Sequence, residues 1–81
     1  MNTILIIEDD IALRENTAEL LELSGYNVIT APNGRIGIEK AEKALPNIII
    51  CDIMMPEVDG FEVSRLIKQN IVTSHIPLIL L

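Results

Sequence analysis

Short apolar runs punctuate the chain at Ile4–Ile7, Tyr26–Thr30, Ile48–Cys51 and Leu78–Leu81. The first, third and fourth are continuously apolar, the pattern of strands covered on both faces in a parallel sheet. Tyr26–Thr30 is a weaker strand, closed by the turn residues Pro32-Asn33-Gly34. The intervening segments read as helices. Ile11–Ser24 carries apolar residues at Ile11, Leu13, Leu20, Leu21 and Leu23, with Asp9 or Asp10 placed to cap its start and Gly25 just past its end. Arg35–Leu45 offers Ile36, Ile38 and Ala41 to an inner face and stops before Pro46-Asn47. A third helix runs over Phe61–Gln69, after the loop from Met54 to Gly60.

Strands alternating with helices predict an α/β unit: a parallel sheet with right-handed crossovers and helices on both faces. No repeat, low-complexity tract or linker divides it. The last apolar run reaches Leu81 with no helix after it to cover that edge. Bare hydrophobic edges are ones that natural domains protect, so the expectation is an N-terminal part of a larger domain, with edge pairing between copies as a route to a dimer.

Composition narrows the function. The 81 residues are 49% hydrophobic, enough for a packed core and too apolar for disorder, yet just Tyr26 and Phe61 are aromatic. Twelve acidic against six basic residues leave a net charge of −6, which disfavours nucleic acid as a partner of this segment and suits a cation or a basic surface. The lone Cys51 cannot form an internal disulfide, and no signal-like or membrane-length apolar stretch is present, so a cytoplasmic setting is expected.

Chemistry gathers at the strand ends. Glu8 and Asp9 follow the first strand, and Asp52 follows the third. In open α/β sheets ligands bind beyond the carboxyl ends of the strands. With a strand order of 2-1-3-4 these carboxylates would converge. Clustered carboxylates repel and call for a proton or a cation, and an oxygen-rich site with room for water suits Mg²⁺. The plain alternative, that each acidic residue caps a helix in solvent, serves for any one of them better than for all three.

Ile4–Asp10 (ILIIEDD), Ile48–Pro56 (IIICDIMMP) and Asp59-Gly60 together resemble the receiver domains of bacterial two-component response regulators, strand by strand along the whole chain. That resemblance implies a flavodoxin-like sheet, here with the fifth strand missing, and residues 1–81 as the N-terminal part of a receiver. It implies that Asp52 accepts a phosphoryl group from a phosphohistidine, that Asp9 and Asp52 bind Mg²⁺ or Mn²⁺, and that Glu8 acts through metal-bound water. The Met54 backbone carbonyl would be a further metal ligand, and Pro56 and Gly60 would shape the loop. The implied partner is a histidine kinase or a histidine phosphotransfer protein, and the implied role is a phosphorelay switch and not an enzyme. The family's Ser or Thr after the fourth strand and its Lys after the fifth fall beyond Leu81; Lys40, Lys43 and Lys68 lie on predicted helices and do not replace the latter.

Two other readings stand beside this one. A receiver-like module that binds without being phosphorylated would keep the fold. A phosphatase with an aspartyl-phosphate intermediate usually shows Asp-x-Asp after the first strand, where this chain has Asp9-Asp10-Ile11. No Gly-rich loop follows that strand either, which argues against nucleotide binding. Asp10 is read as a helix cap and His75 as a solvated loop residue. Cys51 is expected as a buried small hydrophobe, Met54 and Met55 as packing residues, and Glu15, Glu19 and Glu22 as an exposed helix face.

Overall fold

The computed structural model describes residues 2–81. The elements alternate as predicted: β1 Thr3–Ile7, α1 Ile11–Leu23, β2 Asn27–Ala31, α2 Gly34–Ala44, β3 Ile48–Cys51, α3 Gly60–Gln69 and β4 Leu78–Leu80. The sheet has the order β2-β1-β3-β4, and every pairing is parallel. This is the flavodoxin-like order expected from the sequence.

Local chemistry explains the boundaries. The side chains of Asp10, Asn33 and Asp59 accept hydrogen bonds from the amides of Leu13, Ile36 and Glu62, capping α1, α2 and α3. At the end of α1 the Gly25 amide donates to the Glu22 carbonyl and the Tyr26 amide to Leu21, the two bonds of a Schellman ending, with Gly25 at φ +98°. That ending uses the Tyr26 amide, so β2 begins one residue later than the apolar run suggests.

The main core cluster lies on one face of the sheet, while Ile4 and Ile6 of β1 are buried on the other. Leu5, Ile7, Ile49 and Cys51 alternate toward α2 and α3 and pack with Ala41, Val63 and Ile67, all fully buried. Gly37 lets α2 lie directly on β1: a Cβ there would come within 2.7 Å of Ile7 Cγ1. On the opposite face stands α1 alone.

That face is thinly covered, and the expectation for β4 is corrected there. No α1 residue is buried, and Ile11, Leu13, Leu20 and Leu23 are exposed. The apolar residues of α1 therefore do not become core, because the helix lies against β1 and β2 with no neighbouring helix among the described residues to close over it. β4 is likewise not covered on both faces: Leu78 and Leu80 pack on the core, whereas Ile79 and Leu81 are exposed on the α1 side. At the other edge, Lys40 Nζ donates to the Thr30 carbonyl at 2.6 Å, occupying an edge acceptor of β2.

Gly37→Ala is expected to cost about 1–3 kcal/mol through overpacking against Ile7. Ile7→Val in the same chain should return part of that cost, a coupling that a double-mutant cycle in urea would measure.

Candidate functional site

The site is built by register. Ile7 of β1 pairs with Cys51 of β3, and the Asp52 amide donates to the Ile7 carbonyl at 3.0 Å. The residues that follow each strand, Glu8 and Asp52, therefore emerge side by side at the carboxyl edge. One carboxylate oxygen from each of Glu8, Asp9 and Asp52 lies within 4.8 Å of the others. Glu8 is buried, Asp52 half-buried and Asp9 exposed, so the cluster has a sheltered floor and an open mouth.

Glu8 is held at several points. Its amide donates to the Ala31 carbonyl at 3.1 Å, and its Oε2 accepts from the Asp10 amide at 3.2 Å. Its carbonyl accepts from Arg14 Nη1 at 2.8 Å. Burial raises the Glu8 carboxyl above its ordinary pKa, with smaller upward contributions from the neighbouring Asp9 and Asp52 carboxylates, while the Asp10 amide pulls it down. Neighbouring carboxylates thus add to the cost of burying the Glu8 charge, and the Asp10 amide offsets part of it.

Three hard carboxylates converging with one open side fit a small divalent cation that keeps water ligands. The donor set contains no sulfur or imidazole, which disfavours softer metals. Cys51 is fully buried, and burial pushes its thiol up to about 12, so it is the inert neighbour that the strand alternation predicts.

The loop after Asp52 turns on Gly60. Its amide donates to the Ile53 carbonyl at 2.9 Å, and a Cβ on it would sit 2.5 Å from the Asp52 carbonyl oxygen. Only glycine lets the start of α3 approach Asp52 so closely. Pro56 lies with Glu57 and Val58 against Asn33, Gly34 and Arg35 at the head of α2, tying the loop to that helix. Met55 is buried as expected. The Met54 side chain does not pack: it is 82% exposed and lines an open apolar cleft with Ile53, Met55 and Phe61. Its place on the turn leaving β3 directs the side chain outward.

His75 is exposed in a turn, apart from the cluster, and Asp10 is the helix cap. Arg14 is the site neighbour that pattern reading misses. A signal exists: the first turn of α1 holds no acidic residue, and the first charge in the helix is this cation, where the helix dipole favours an anion.

Comparison with known proteins agrees with this geometry. Residues 4–81 match the family model described as the response regulator receiver domain. The chain is 46% identical over 80 residues to Histidine kinase P4 of Formosa agariphila, covering 99% of this chain and 6% of that protein. It is 40% identical over 81 residues to the transcriptional regulatory protein AfsQ1 of Streptomyces coelicolor, covering all of this chain and 35% of that one. The crystal structure of the Vibrio cholerae chemotaxis protein CheY4 superposes with a TM-score of 0.94 at 32% identity, over 99% of this chain and 67% of that one. The chain spans about a third or less of these two curated relatives. It belongs to the response regulator receiver domain family.

In the metal-free chain, Glu8→Gln is expected to stabilise the fold at pH 7 by about 1 kcal/mol, roughly 4–8 °C in Tm. A carboxyl whose folded pKa is raised holds its proton more tightly in the folded state, so stability falls as pH rises through the folded pKa. The gain from Gln should therefore shrink as pH drops toward 4.5, the ordinary Glu value. Thermal melts in EDTA across pH 4–8 would check this.

Proposed function

We propose that this receiver-family chain accepts a phosphoryl group on Asp52 from a phosphohistidine of a histidine kinase or histidine phosphotransfer protein. The observation that supports this reading best is the convergence of Asp52 with Glu8 and Asp9 at one strand-end edge. Asp9 and Asp52 would bind the metal directly, Glu8 would act through a water, and the Met54 carbonyl would complete the protein's share. Magnesium, or manganese in its place, would supply positive charge that offsets the repulsion between Asp52 and the incoming phosphoryl oxygens.

The chain's own residues provide placement. β3 presents Asp52 at the open mouth, so one carboxylate oxygen can attack phosphorus in line. An oxygen–phosphorus bond forms and the nitrogen–phosphorus bond of the donor breaks. The electron pair returns to the imidazole nitrogen, which takes a proton from solvent. The Asp10 amide holds one carboxylate oxygen of Glu8 beside the site. Gly60, having no side chain, lets the head of α3 pack against the Asp52 backbone.

The product is a mixed anhydride with added negative charge beside an already acidic edge, which can bias a two-state element of a longer protein. This is stoichiometric switching in the cytoplasm, not turnover of a small substrate.

Incubation with acetyl phosphate and Mg²⁺, followed by intact-mass measurement, should add one phosphoryl group to the chain. Asp52→Asn and EDTA should each abolish it, and Asp9→Ala should slow it by about tenfold or more. A folded chain that takes up no label would contradict this reading and favour a binding module that is not phosphorylated. Label that persists on Asp52→Asn would place the acceptor elsewhere.

A further inference from the structure

The geometry points to Arg14 as a positioning residue of the carboxylate site, acting through the backbone of Glu8. This inference rests on the metal-site reading above.

Arg14 stands one turn into α1, where the helix dipole disfavours a cation, and it is half-buried. Its Nη1 donates to the Glu8 carbonyl at 2.8 Å. Its own amide donates to the Asp10 carbonyl at 2.9 Å, so the residue ties the helix to both sides of Asp9. The Glu8 carbonyl is the last acceptor of the β1 end, at the point where the chain leaves the sheet. With the carbonyl bound by Arg14, the amide bound to Ala31 and Oε2 bound by Asp10, Glu8 is anchored on both sides of its backbone and through one carboxylate oxygen.

Equally telling is what Arg14 does not bind. A guanidinium that binds a carboxylate ordinarily does so in a bidentate pair. The one ion pair among the described residues joins Glu62 and Arg65 on the exposed face of α3. Bonding to a carbonyl consumes no ligand oxygen, so the carboxylates stay free for a divalent cation. An apolar residue at this position would lose the backbone tether.

Groups that orient metal ligands from behind typically change metal affinity by about 10–100-fold when removed. The expected result for Arg14→Ala is thus a Mg²⁺ affinity about tenfold weaker by titration calorimetry, with Arg14→Lys recovering most of it. Thr17→Ala, on the next turn of α1, should leave the affinity unchanged. A metal-free readout accompanies these: the Glu8 carbonyl ¹³C chemical shift should move in Arg14→Ala and return toward the wild-type value in Arg14→Lys. Should Arg14→Ala fail to fold, Arg14→Met keeps the aliphatic stem and should show the same loss. Wild-type affinity in the alanine or methionine variant would overturn the role of Arg14. An absence of Mg²⁺ binding by the wild-type chain would instead remove the metal-site reading, and the inference with it.

Discussion

The parallel pairing of β1 with β3 is the constraint on which the rest of the molecule depends. Because Ile7 stands opposite Cys51, the chain leaves both strands at the same level, and Glu8, Asp9 and Asp52 have no way to separate. A slip of one residue would send every core side chain of β3 to the opposite face. Burial of Leu5, Ile7, Ile49 and Cys51 therefore fixes the site's geometry along with the fold's. The hydrophobic effect acts here on an electrostatic arrangement that is unfavourable by itself.

That tension explains the surrounding details. Glu8 is buried next to two other acids, so its carboxyl is pushed toward the protonated form, and the fold answers with the Asp10 amide and the tether from Arg14. Gly60 brings α3 against the Asp52 backbone, and Asp59 caps that helix by turning toward the Glu62 amide, away from the metal-competent set. Local stability is given up at a site so that a ligand can restore it, a recurring trade between function and folding.

Much of this was legible in the sequence. The continuous apolar runs marked β1 and β3, the polar breaks marked their ends, and carboxylates at both ends marked the site. The motifs around Asp9, Asp52 and Gly60 pointed to the family. Periodicity failed where burial depends on what lies across from a face: α1 has the apolar residues of an inner helix, yet Leu20 and Leu23 face solvent, and Ile79 of β4 is exposed although its run is wholly apolar. Apolar content says that a face can be buried, and the neighbouring element decides whether it is. Met54 departs from its expected packing for a related reason: a turn directs its side chain away from a core that hydrophobicity alone would assign it. Arg14 was missed because its contact runs to a backbone carbonyl, which no side-chain motif records.

The central claim is that two strand ends form one cation site. A Mn²⁺ titration of the ¹⁵N-labelled chain followed by amide line broadening tests it directly. The account predicts that the amides of residues 8–10 and 52–54 broaden together at the lowest Mn²⁺ concentrations, while His75 and the exposed acids Glu15, Glu19 and Glu22 stay sharp. Broadening that begins at those α1 glutamates or at His75, or that affects one strand end without the other, would contradict it.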